Sequence, residues 1–204
     1  MTPRLIRSLR PIIATVDNII TDDACDSILN NEIQFNQSLG FDYAKNFSTV
    51  SSYRSSSTAH DFKNEFGYLR QLAVDFANKY YDTFQLTLDH AEAVQLTKYE
   101  VGQEYKRHVD YFNQKDKTAI DNDRCGTVIF YLNDDFEGGE TYFPHLDLSI
   151  KPKKGMALFF AYNYDADTNH LSTHAGLPVT SGVKTIATIW LHPQIYNGSQ
   201  PSVR

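Results

Sequence analysis

The stretch KTIATIWLH, residues 184–192, decides the fold. Its side chains alternate as in a strand, so Lys184, Ile186, Thr188 and Trp190 share one face and Thr185, Ala187, Ile189 and Leu191 the other. Working back along the chain, short runs of the same texture recur: AVQLTKYE (93–100), TVIFYLN (127–133), ETYFP (140–144), LSIKP (148–152) and MALFFAY (156–162). Turn-forming residues separate them, among them Gly102, Asn133 to Asp135, Gly138 with Gly139, Lys153 to Gly155, and Ser181 with Gly182. No helix-period segment alternates with these runs. The pattern therefore predicts a double-sheet jelly roll rather than a parallel α/β sheet.

Upstream, residues 12–20 read as a first strand. Thr21 or Asp22 then caps a helix to about Phe35, carrying Ile28, Leu29, Glu32 and Ile33 at helical spacing. Residues 36–60 are polar, with Ser51, Ser52, Ser55, Ser56 and Ser57, and read as loop or short hairpin. A second helix is predicted over about 61–81, where Phe62, Phe66, Leu69, Ala73, Phe76 and Tyr80 form one apolar stripe. The expected class is an all-β core with supporting helices (α+β). Residues 1–204 would form one domain, with 1–91 as helical support and lid and 92–192 as the jelly-roll core.

A net charge of −6 provides no global basic field to draw in nucleic acid or anionic lipid. Cys25 and Cys125 stand a hundred residues apart without framework spacing, so both are expected as reduced thiols. Pro11 and Asp17 interrupt the first twenty residues, and no window approaches the roughly 20 apolar residues of a membrane span. The expectation is a cytoplasmic protein.

The chemistry begins with strand parity. Lysine, threonine and tryptophan on one face of a strand make a poor apolar core and a good anion pocket. Thr127, Ile129 and Tyr131 share a face in the same way, as do Gln95, Thr97 and Tyr99. A His-x-Asp triplet, His108 with Asp110, is followed by His174 and, ten residues later, Lys184. Two imidazoles and a carboxylate form a facial set that holds ferrous iron and leaves three positions open. The lysine would supply the cation for a dicarboxylate cosubstrate. A lone His-x-Asp is common by chance, and His170, four residues before His174, competes for the distal place. His-x₃-His is also a zinc-like spacing, though no cysteine pair accompanies it. His60, His90, His145 and His192 read as ordinary surface or core histidines.

Six motifs in order carry a resemblance. The first is Y-x-x-G-x-x-Y-x-x-H-x-D, from Tyr99 through Gly102, Tyr105 and His108 to Asp110. R-x-x-T-x-x-x-Y-L-N-D (Arg124 to Asp134), E-G-G-E-T-x-F-P (Glu137 to Pro144) and K-P-x-K-G-x-A-x-x-F (Lys151 to Phe160) follow. H-x-G-x-P-V-x-x-G-x-K (His174 to Lys184) and A-T-x-W (Ala187 to Trp190) complete the set. Over residues 94–192 the chain resembles the catalytic domain of the collagen-type prolyl 4-hydroxylases, which are Fe(II)/2-oxoglutarate dioxygenases.

The resemblance implies His108, Asp110 and His174 as iron ligands, with His174 rather than His170 at the distal place. It pairs Lys184 with the far carboxylate of 2-oxoglutarate, with Tyr99, Tyr131, Thr141 and Thr188 as polar neighbours. Fe(II), 2-oxoglutarate, O₂ and L-ascorbate are the implied cofactors and cosubstrates. A proline-containing peptide or protein is the implied substrate, met by Tyr105, Arg124 and Trp190, with the loop around Arg54 as a mobile lid. Leu177 stands where many relatives carry cysteine, and Thr185 where tryptophan often follows the lysine; altered packing is expected from both. Lysyl side chains or a free amino acid are alternative substrates for the same chemistry, and a non-catalytic jelly-roll binding module is the alternative outside enzymes. Asp110 argues against a halogenase, which needs that position vacated.

Overall fold

The computed structural model describes residues 4–9, 11–42, 47–49, 53–61, 63–80, 85–111, 124–162 and 169–196. Ser51, Ser52, Phe62 and the predicted helix end at residue 81 lie outside them. In chain order the elements are β1 (Arg4–Leu9), β2 (Ile12–Val16), α1 (Asp22–Leu29), β3 (Asn36–Gln37), β4 (Gly40–Asp42), β5 (Phe47–Thr49), β6 (Ser57–His60) and α2 (Tyr68–Ala77). Then come β7 (Gln95–Tyr99), β8 (Tyr105–His108), β9 (Gly126–Tyr131), β10 (Glu137–Gly138), β11 (Thr141–Phe143) and β12 (Leu148–Ile150). β13 (Ala157–Ala161), β14 (His174–Gly176), β15 (Val179–Ser181) and β16 (Lys184–Leu191) complete the set.

The major sheet runs β1-β2-β13-β9-β16-β7-β6-β3, and the minor sheet β12-β11-β14-β8. Every strand pairing among the described residues is antiparallel, and β16 lies between β9 and β7. Because strand side chains alternate, the major sheet feeds two apolar layers. Val128, Phe130, Phe159, Ala187 and Ile189 face the helices and pack with Ile28, Leu69, Ala73 and Phe76. Ile129, Tyr131, Leu158, Phe160 and Ile186 face the minor sheet and meet Phe143, Ile150 and Val179. The result is a double-stranded β-helix with helices backing one sheet, as the strand texture predicts. No described helix is long and apolar enough to cross a membrane.

The N-terminal half departs from its prediction. β1 pairs with β2 as a hairpin, and β2 joins β13, so this hairpin builds one edge of the major sheet. α1 starts where expected, with the Thr21 hydroxyl accepting from the Ala24 amide, but stops at Leu29 rather than near Phe35. Asn30 caps it, and Asn31 follows; both side chains compete for backbone partners and disfavour helix interiors. α2 starts at Tyr68 rather than about residue 61. The Asp61 carboxylate takes the amides of Glu65 and Phe66 at 2.8 and 2.6 Å, and Asn64 sits at φ 59°, so the intervening chain turns instead of winding. In the polar stretch 36–60, β6 pairs with β7 and extends the major sheet.

Candidate active site

The minor sheet brings the two distant histidines together. β14 pairs with β8 so that His174 lies opposite His108, and their ring centroids are 4.2 Å apart. Asp110, two residues past β8, completes a group whose ligand atoms all lie within 4.8 Å of one another. His108 Nε2 is 3.5 Å from Asp110 Oδ1, and His174 Nε2 is 3.8 Å from Oδ2.

The other ring nitrogens face backbone carbonyls: His108 Nδ1 donates to Lys106 O at 2.7 Å and His174 Nδ1 to Ser172 O at 3.1 Å. That tautomer leaves both Nε2 lone pairs turned toward the carboxylate, as metal coordination requires. Burial disfavours the charged form of Asp110, but the imidazoles and Arg124 outweigh it and hold the carboxyl well below its usual range. Burial, with His108 beside it, pushes His174 down to about 4, so this imidazole is neutral near pH 7. Two imidazole donors and one carboxylate fit a divalent metal such as iron. His170 lies in the 3₁₀ turn before β14, against His145 at 5.3 Å between ring centroids, and is not one of the clustered donors.

One cavity joins this group to the lysine. Its walls include Ile129, Thr141, Lys184, Ile186, Thr188 and Trp190 beside the three donors, and the alternation read in residues 184–192 places the last four there. Register does the rest: Lys184 pairs with Tyr99, Ile186 with Thr97, and Thr188 with Gln95. Lys184 is 2% exposed and donates to Gly139 O at 2.6 Å. Gly139 holds φ +68°, and a Cβ there would lie 3.1 Å from Lys184 Cδ, so glycine lets the backbone approach the lysine stem. The rings of Tyr99 and Tyr131 lie 5.2 and 5.7 Å from Nζ. Burial pushes the ammonium down to about 8 against the pull of Glu140. Tyr131 is fully buried behind the wall, where its hydroxyl shares a 2.7 Å hydrogen bond with the Thr141 hydroxyl.

The structure places the two arginines expected at the substrate differently. Arg124 does not line this cavity: its guanidinium forks onto Glu92 at 2.6 and 3.1 Å and donates to the Asp110 carbonyl at 3.2 Å. It lies over the Trp190 ring at 4.1 Å and thus backs the wall. Arg54 lines the cavity and is buried rather than on the surface. It is 7% exposed and donates to Ser56 Oγ and Thr97 Oγ1 at 3.0 and 3.2 Å. Hydrogen bonds from Ser55 N to Glu104 O and from Lys106 N to Tyr53 O stitch residues 53–55 to β8 before β6 joins the other sheet. The segment is a strap across both sheets.

Tyr105 stacks on His108 with centroids 3.5 Å apart, under the Arg54 guanidinium. Trp190 lines the cavity as expected, and its buried Nε1 has no hydrogen-bond partner among the described residues. Thr185 faces away from this wall and takes the Asn133 side-chain oxygen on its amide at 2.8 Å. Sequence reading missed Glu92, which also meets His192 Nε2 at 2.9 Å; no local pattern marks it, because its partners lie 32 and 100 residues away.

The fold and donor set define a class, and the comparisons agree. The model of the 2OG-Fe(II) oxygenase superfamily matches residues 94–192. The chain is 32% identical over 208 residues to prolyl 4-hydroxylase 2 of Arabidopsis thaliana, covering 91% of this chain and 68% of that protein. Probable prolyl 4-hydroxylase 3 of the same plant is 37% identical over 124 residues, covering 51% of this chain and 43% of that one. A viral collagen prolyl hydroxylase from Paramecium bursaria Chlorella virus-1, solved as its 2OG complex, superposes with a TM-score of 0.69 at 29% identity. That match covers 88% of this chain and 95% of that one. The chain belongs to the prolyl 4-hydroxylase family of 2OG-Fe(II) oxygenases. It spans about half the length of several of its curated relatives.

Proposed function

We propose that this chain is a prolyl 4-hydroxylase that converts proline residues of a peptide or protein to 4-hydroxyproline, consuming 2-oxoglutarate and O₂ and releasing succinate and CO₂. The observation that carries the reading is one cavity walled both by the donor group His108, Asp110 and His174 and by the buried ammonium of Lys184. In it, the three donors would hold Fe(II), which when bound would supply O₂ activation for hydroxylation of a C–H bond, with ascorbate as the reductant that keeps it ferrous.

Lys184 holds the far carboxylate of 2-oxoglutarate. Its ammonium has three donors and uses one, on Gly139, among the described residues. Thr141 and Thr188 offer hydroxyls in the same wall, while Tyr99 and Tyr131 place ring faces near the charge. The substrate peptide enters extended, because proline fixes φ and lacks the amide proton that helices and inner strands need. Tyr105 and Trp190 flank its approach. Arg54 and Gln95 belong both to this cavity and to a neighbouring groove of about 800 Å³, which supports a longer peptide path. Arg124 acts from behind by holding Trp190 and the Asp110 backbone.

The described residues act as one catalytic unit, since strands from both halves share the major sheet. A reducing, cytoplasmic setting suits Cys25 and Cys125, both buried and not joined by a disulfide. The test is succinate release from 2-oxoglutarate with Fe(II) and ascorbate, with and without proline-rich peptides. Stimulation by such peptides, abolished by Asp110→Ala, supports the reading. Stimulation by lysyl peptides or a free amino acid alone contradicts it.

A further inference from the structure

The carboxylate of Asp110 sits just beyond the end of β8, on a bend rather than in a sheet. What fixes its orientation comes from the major sheet. The Thr127 hydroxyl, on β9, donates to Asp110 Oδ2 at 2.7 Å and meets the Tyr162 hydroxyl at 2.9 Å. Thr127 is fully buried and Tyr162 is 2% exposed, so water does not compete.

The proton order follows from valence. An ionised carboxylate only accepts, and threonine has one hydroxyl proton. That proton goes to Asp110, so the Tyr162 phenol donates to Thr127 Oγ1. Both hydroxyl bearers are anchored: Thr127 pairs in register with Phe160 and Trp190, and the Tyr162 amide donates to Cys125 O at 3.0 Å. Asp110 Oδ2 therefore faces a rigid donor while it lies 3.8 Å from His174 Nε2, and Oδ1 lies 3.5 Å from His108 Nε2.

Resting on the metal-site reading above, we propose that Tyr162 is a positioning residue for the metal centre: through Thr127, its hydroxyl orients the Asp110 carboxylate. Partners of this kind orient a ligand without touching the ion.

Co(II) binding to the full chain, without 2-oxoglutarate, tests this independently of turnover. Its dissociation constant and visible ligand-field spectrum are read for the wild type, Tyr162→Phe, Thr127→Val, Thr127→Ser and the Tyr162→Phe/Thr127→Val double variant. Thr127→Val should weaken binding roughly tenfold to a hundredfold, and Tyr162→Phe by about threefold to tenfold with a changed spectrum. Thr127→Ser, which keeps the hydroxyl, should stay near wild type. The double variant should bind no more weakly than Thr127→Val alone, because the phenol acts only through the threonine. An unchanged constant and spectrum in Tyr162→Phe, or losses that add in the double variant, overturn the relay while the metal site stands. Failure of the wild type to bind Co(II) overturns both the metal-site reading and the relay.

Discussion

Lys184→Ala strips a buried cation from the cavity and leaves all three metal donors in place. The ammonium makes one hydrogen bond, to Gly139 O, among the described residues, and burial holds it down to about 8. A carboxylate arriving there meets two unused donors in a water-poor setting. Such a charge-assisted contact is worth about 1.5–3 kcal/mol, so the dissociation constant for 2-oxoglutarate should rise roughly tenfold to a hundredfold. Lys184→Arg should recover only part, because Gly139 packs against the lysine stem and the guanidinium is larger. The charge also sets a pH signature. Free protein below pH about 8 carries the proton that the dianion needs, so affinity is flat there and falls about tenfold per unit above. Anaerobic calorimetry with Mn(II) in place of iron, from pH 6.5 to 9.5, reads both effects. An unchanged constant in Lys184→Ala, or the same alkaline fall persisting in it, would refute the assignment.

The same lysine predicts a stability effect of opposite sense. Its folded value, about 8, lies below the ordinary 10.5, so the unfolded chain binds more protons between them and ligand-free stability should rise with pH over that window. Lys184→Met should remove that rise, which denaturant titration from pH 7 to 10 checks. His174→Ala should abolish metal binding and 2-oxoglutarate turnover, whereas His170→Ala, removing a ring outside the donor group, should leave both intact. Arg124→Ala leaves the Glu92 carboxylate buried without its fork, and should cost about 3–5 kcal/mol in a thermal or denaturant melt. Arg124→Lys should restore little, since a point charge cannot reproduce the two-pronged contact.

The parts of the site that lie on single strands were legible in the sequence. Period-two alternation suffices to put Lys184, Ile186, Thr188 and Trp190 on one face, and all four line the cavity. His108 and Asp110 are two residues apart, and motif order supplied His174. What stayed hidden depends on pairing between distant segments. Arg54 reads as a loop arginine because nothing local reveals that residues 53–55 bond to β8. Arg124 sits in a motif, but the Glu92 that claims its fork arrives from 32 residues upstream. Tyr162 ends an apolar run, and only the β13–β9 register brings its hydroxyl to Thr127. The sequence pattern overruns the helix ends because apolar spacing continues to Ile33 and begins at Phe62, while Asn30 and the Asp61 carboxylate stop the winding.

Mass spectrometry of a proline-rich peptide incubated with the protein, Fe(II), 2-oxoglutarate and ascorbate tests the central claim most directly. The account predicts one added oxygen on C4 of a proline ring, formed in step with succinate and absent in the Asp110→Ala variant. Succinate formed while every prolyl peptide stays unmodified, or oxygen placed on lysine instead, would contradict it.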